Sequence, residues 1–185
     1  MKFITEAHVE LNKQMHAAQR GFGQSGRKHA AEVLAFISWN AVDSLLDYGC
    51  GSGTLHEALN DGVTCENLLW CEIREYDPAI EGKTASPEPA DLVVCTDVLE
   101  HVEPELLGNV LRHLRLLTLK AALLVISTTP GSKKLPDGRD THLSVHDAAW
   151  WRKELLSLNW KILSQQVRRD KQGKPCEVTF WLEVG

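Results

Sequence analysis

The residues Asp47-Tyr48-Gly49-Cys50-Gly51-Ser52-Gly53 carry the strongest chemical signal in the chain. Three alternate glycines directly follow the apolar run Ser44-Leu45-Leu46. Without Cβ atoms they let the backbone turn sharply and approach a ligand closely. A strand before the loop and a helix after it would set that ligand at the carboxyl edge of a sheet, near a helix start. A nucleoside ligand there needs an acid at the end of the next strand to accept its ribose hydroxyls. Glu72 and Asp77 compete for that role. Asp77 is favoured because Pro78 would stop the strand there.

A second group, Asp97, Glu100 and His101, follows the apolar run Asp91 to Cys95. Spacings of three and four residues place all three on one side of a helical turn. An imidazole titrates near ~6.5, so His101 is a candidate general base. The bland reading is a capping box, with Asp97 as the cap and Glu100 reaching back. Farther on, the polar stretch from Thr128 to His146 is long for a connector, and such loops often bind substrate. Arg139, Asp140 and His142 are its candidate substrate contacts, with His142 a second candidate base. Lys133 and Lys134 read as solvated charge. Of Trp150 and Trp151, one should pack on the sheet and the other border the substrate pocket; Trp150 is assigned to the substrate. Asp97, Glu100, His101, His142 and His146 offer carboxylates and imidazoles of the kind that hold divalent ions. The set resembles, loosely in its spacing, the Glu/His set of the small-RNA 2′-O-methyltransferases, and no metal is assigned.

These groups need a frame. Helices are expected from about Phe3 to Gln19 and from Arg27 to Ser38, separated by the glycine-rich break Arg20 to Gly26. Strands are expected at Ser44–Tyr48, from Leu68 to Ile73 or as far as Tyr76, at Asp91–Cys95 and at Ala122–Ser127. Helices should follow at Thr54–Leu59, at Glu103–Leu117 with Leu106, Val110, Leu111, Leu114 and Leu117 inward, and at Asp147–Leu158. Trp160–Val167 and Glu177–Val184 read as two strands joined by the turn Asp170-Lys171-Gln172-Gly173. Alternating strands and helices predict an α/β fold: a Rossmann-like, mainly parallel sheet with helices on both faces and a C-terminal antiparallel hairpin.

Composition narrows the function. The 185 residues suffice for one domain with a substantial core. A formal charge of −5 argues against a general nucleic-acid binder. No apolar stretch approaches the ~20 residues of a membrane span, and the N-terminus lacks the apolar run of a signal peptide. The five cysteines, Cys50, Cys65, Cys71, Cys95 and Cys176, include no CxxC pair and read as reduced thiols of a cytoplasmic protein.

The glycine loop resembles the first motif of the class I methyltransferases that use S-adenosylmethionine. Asp91-Leu92-Val93-Val94-Cys95-Thr96-Asp97-Val98-Leu99-Glu100-His101-Val102 resembles the fourth-strand motif of their type 11 group. The likeness runs from about Arg27 onward. It implies a methyltransferase domain over 27–185, with residues 1–26 as an N-terminal helix and a segment able to fold over the cofactor. It also implies that Asp47 contacts the loop and the methionine end of the cofactor, that Gly49, Gly51 and Gly53 cradle it, and that Asp77 or Glu72 holds the ribose. Thr96 and Asp97 complete this cofactor set, and His101, His142 and Asp97 form the catalytic set. One departure is plain: only Glu81 to Ala90 separates Ile80 from the next core strand, so this chain lacks a helix and strand usual in the family. The expected acceptor is an oxygen or nitrogen of a small molecule. The alternatives are RNA or another nucleic acid, with or without a metal, and a non-catalytic cofactor-binding scaffold.

Overall fold

The computed structural model describes residues 1–18, 22–61 and 70–185. The expected helix end at Gln19, the break at Arg20 and Gly21, Cys65 and the strand start at Leu68 and Leu69 lie outside the described residues. Helix α1 spans Glu6–Ala18, α2 Ala30–Trp39, α3 Thr54–Asp61, α4 Pro104–Leu117 and α5 Ala148–Ser157. The strands are β1 Ser44–Tyr48, β2 Glu72–Tyr76, β3 Ala90–Thr96, β4 Thr118–Ser127, β5 Trp160–Arg169 and β6 Pro175–Val184.

They form one six-stranded sheet in the order β2-β1-β3-β4-β6-β5. The first four are mutually parallel, and β6 runs antiparallel to both β4 and β5. Sequence order reverses between β1 and β3. In such sheets ligands bind beyond the carboxyl ends of the strands flanking that reversal. Both chemical motifs leave the sheet there: the glycine loop after Tyr48 and the acidic turn after Thr96.

The sheet is covered on both faces, as its continuous apolar strands require. Side chains alternate with period two. Leu46, Val93, Cys95, Leu124 and Ile126 face one core, closed by α4 and by Trp151 and Leu155 of α5. Leu45, Leu92, Val94, Leu123 and Val125 face the other, closed by Val33 and Ile37 of α2 and Leu55 and Leu59 of α3.

Several local expectations change. The second helix begins as a 3-10 turn, Gly26–His29, before α2. Within that turn a Cβ on Gly26 would stand 2.8 Å from Leu55 Cβ, so the turn packs closely on the start of α3. Helix α4 buries Leu107 with Val110, Leu111, Leu114 and Leu117, while Leu106 is only half-buried. Its start is marked by Pro104, whose missing N–H is harmless in a first turn. The capping box does not form: Leu99–His101 is a separate 3-10 turn without a side-chain cap, and Glu103 takes the N-cap position. Residues 77–89 contain neither helix nor strand, so the shortened connection is real. No helix among the described residues is long and apolar enough to cross a membrane.

Candidate active site

The glycine loop is held open by its own backbone. Gly49 N and Cys50 N donate to Tyr76 O at 2.7 and 3.1 Å, tying the loop to the end of β2. Gly49 and Gly51 have φ of +76° and +51°, a region that L side chains rarely adopt. A Cβ on Gly51 would stand 2.5 Å from Gly23 O and 2.7 Å from Gly23 Cα. The N-terminal segment therefore lies directly on the loop, and Ser52 N donates to Gly23 O at 3.1 Å.

Asp77 sits where the ribose acid was expected. It is buried, its Oδ2 accepts from Gly51 N at 3.0 Å and its Oδ1 from Ala79 N at 2.8 Å. Glu72 starts the same strand beside Ser44, at the opposite sheet edge, and is exposed. Asp47 is buried beneath the loop. Burial first, then the nearby Glu75, pushes its carboxyl up to about 7, against the pull of Lys83. Sequence reasoning missed that Glu75–Lys83 pair, whose ions stand 3.2 Å apart while Lys83 Nζ also reaches Gly51 O at 3.4 Å. The signal for Glu75 was its two-residue spacing from Asp77, which puts both on one face of the strand; Lys83 had no local signal. Gly53 packs toward Glu75 and Lys83 rather than lining the main cavity.

Across the reversal, Asp97 holds φ of 53° and donates its N–H to Val125 O at 2.9 Å. Burial, then the charge of Glu177, raises its carboxyl above the ordinary range. Glu100 is 0% exposed. Its Oε1 accepts from Ser127 N at 2.9 Å, and its Oε2 has no partner among the described residues. Burial, then Asp97, pushes this carboxyl up to about 8.

His101 and His142 meet edge to face, with ring centroids 4.8 Å apart. His101 Nδ1 lies 2.8 Å from Thr141 O and His142 Nδ1 lies 2.7 Å from Thr129 O. A carbonyl only accepts, so each Nδ1 carries a proton directed at it. Burial, then the neighbouring His142, lowers His101 to about 4, so its imidazole is neutral at physiological pH. Asp140 shapes the loop that delivers His142: its carboxylate accepts from Gly131 N and His142 N and pairs with Lys134.

A single cavity of about 720 Å³ joins these groups. Its walls include Asp47, Gly49, Gly51, Asp77, Thr96, Asp97, Glu100, His101 and His142. Arg139 pairs with Asp137 outside it, and Trp150 stacks on His146 at 3.6 Å, also outside it. Trp151 packs in the core, as one of the two tryptophans was expected to. Sequence reasoning also missed the cavity's N-terminal wall. Phe22 lies edge-on to His101, with ring centroids 5.8 Å apart. His8 is 2% exposed, lines the cavity, and its Nε2 stands 3.1 Å from His101 O. Thr5 anchors the start of α1 through its N–H and hydroxyl, which donate to the Glu103 carboxylate at 2.8 and 2.6 Å. Its spacing from Ile4, Leu11 and Met15 puts His8 near one helix face, but the sequence does not show what that face packs against.

A family model described as a methyltransferase domain matches residues 22–165, which span both motifs and most of the sheet. The chain belongs to this methyltransferase family. Membership supports S-adenosylmethionine as its cofactor. Similar solved structures share the fold. One is a Burkholderia thailandensis 1,6-didemethyltoxoflavin N1-methyltransferase with bound 1,6-didemethyltoxoflavin and S-adenosylhomocysteine; it is 14% identical over 96% of this chain and 88% of its own, with a TM-score of 0.63. Another is the Synechocystis magnesium protoporphyrin IX methyltransferase with S-adenosylmethionine, 16% identical over all of both chains, with a TM-score of 0.60. A third is the small RNA methyltransferase HEN1, 16% identical over 85% of this chain but 25% of its own, with a TM-score of 0.59. A search of curated protein sequences finds no significant match.

Proposed function

We propose that this methyltransferase transfers the methyl group of S-adenosylmethionine to an oxygen or nitrogen of a small, metabolite-sized acceptor. The observation that carries this reading is the continuity of the cavity. One continuous space runs from the glycine loop and Asp77 to the histidine pair, walled by residues of α1 and by Phe22. When bound, the cofactor supplies an electrophilic methyl on a positively charged sulfur. The chain's residues do the rest.

The Cβ-free loop admits the amino-acid half of the cofactor, and the Asp47 carboxylate faces its positive charges. A carboxylate has about four lone-pair sites. Asp77 spends two on Gly51 N and Ala79 N and keeps two for the ribose hydroxyls. Thr96 and Asp97 border the methyl-transfer end. The imidazoles of His101, held neutral by burial, and His142 border the acceptor end of the cavity. His8, His16 and Phe22 of the N-terminal segment help to shield this space from water. Aligning two reactants in such a space supplies on the order of 7 kcal/mol or more.

Titration calorimetry with S-adenosylhomocysteine, followed by incubation with methyl-labelled donor and separated metabolite and RNA fractions, tests this. Micromolar binding and label in the metabolite fraction are expected. Label in RNA would replace the acceptor class, and binding without transfer to either fraction would favour a cofactor-binding scaffold. No binding at all would sink the reading.

A further inference from the structure

We propose that Glu100, His101 and His142 form a divalent-cation site that holds and acidifies a hydroxyl group of the methyl acceptor. The proposal rests on the methyltransferase reading and narrows its acceptor to an alcohol or diol.

Three features converge. The first is an orphan: Glu100 Oε2 is fully buried, faces no donor among the described residues, and belongs to a side chain lining the cavity. Leaving such an oxygen unpaired is expensive, and a cation would satisfy it. The second is the state of the two imidazoles. Both Nδ1–H groups are tied to backbone carbonyls of the same loop, at Thr129 and Thr141. This second contact fixes the tautomer and ring orientation that a metal-ligating histidine needs. The third is position. One ligand atom from each of the three residues lies within 4.8 Å of the others. Ligand atoms around one ion bound at ~2.0–2.2 Å stand about 3–4 Å apart, so modest side-chain rotations close the set.

Two nitrogens and one carboxylate suit first-row divalent ions and leave coordination positions open. Asp97 and His146 fall outside the set; His146 is stacked on Trp150 instead. The open positions face the cavity shared with the glycine loop. There the ion would lower the pKa of a coordinated hydroxyl. The oxygen–carbon bond forms as the sulfur–carbon bond breaks. Sulfur leaves as a neutral thioether, and the hydroxyl proton passes to water. No oxidant or reductant is needed.

The test titrates the chelator-treated full chain with Co²⁺ and follows heat and visible absorption. One ion per chain is expected. Glu100→Gln, which keeps an oxygen for Ser127 N, and His142→Ala should each weaken Co²⁺ binding by more than ~100-fold, beyond the loss typical of removing a supporting residue. S-adenosylhomocysteine should bind both variants as it binds the parent, which shows that they fold. His146→Ala should leave the Co²⁺ signal unchanged. A parent that binds S-adenosylhomocysteine but takes up no Co²⁺ overturns the proposal. So does Co²⁺ uptake indifferent to both ligand substitutions. Failure of the parent to bind S-adenosylhomocysteine overturns the methyltransferase reading beneath it, whatever the Co²⁺ result.

Discussion

At the glycine-loop end of the cavity the walls are mostly backbone, supplied by neighbours in sequence and in the sheet. Gly49, Cys50 and Gly51 leave β1 and are pinned by Tyr76 and Asp77 at the end of β2. At the histidine end the walls are side chains from segments far apart: His8 on α1, Glu100 and His101 after β3, His142 on the loop after β4. The first construction tolerates little change, because a backbone cradle has no rotamers to adjust. The second can alter one side chain at a time. A binding end made of backbone and a reacting end made of interchangeable side chains is a physical route to one donor serving many acceptors.

The sharpest way to break this comparison is Gly51→Arg. A side chain there meets Gly23 and adopts an unfavourable φ, which alone costs about 1–3 kcal/mol. Loss of detectable S-adenosylhomocysteine binding by calorimetry is expected; retained micromolar binding would show that the cradle is not backbone-limited.

Next is Asp47→Asn. The carboxyl is raised from 3.8 to about 7 in the folded chain, so that chain holds a proton the unfolded chain has lost. Stability without cofactor should therefore fall as pH rises from about 4 to about 7, by an amount on the order of 2–4 kcal/mol. In Asp47→Asn that dependence should flatten, while cofactor affinity drops. Thermal midpoints across this pH range check it, and an unchanged slope would remove Asp47 as the source.

Smaller effects separate the two candidate acids. Asp77→Asn should weaken S-adenosylhomocysteine roughly 10- to 100-fold, the size of a charge-assisted hydrogen bond lost, while Glu72→Gln leaves affinity alone. Equal losses would mean that the strand end is not the ribose site. The smallest effect belongs to Arg139→Ala. Its guanidinium is paired with Asp137 away from the cavity, so thermal stability should change by less than about 0.5 kcal/mol and labelling of the acceptor fraction should not change. A large loss of transfer would return Arg139 to the substrate site.

The sequence by itself determined the sheet and its chemistry-bearing edge. Continuous apolar runs bounded by turn residues point to strands buried on both faces, and glycines at 49, 51 and 53 announce a backbone that must turn where a Cβ cannot follow. Those are local signals, written in a few adjacent residues. Only the tertiary structure placed Asp77 against the glycine loop and Glu72 at the opposite sheet edge, because that depends on which end of β2 meets the loop. It also replaced the expected capping box with a buried Glu100, moved Trp150 and Arg139 out of the cavity, and brought His8, His101 and His142 to one wall. No short-range pattern encodes such meetings. They arise when residues separated by up to 134 positions, from His8 to His142, are folded against the same sheet edge, where packing and buried hydrogen bonds, not spacing, set their positions.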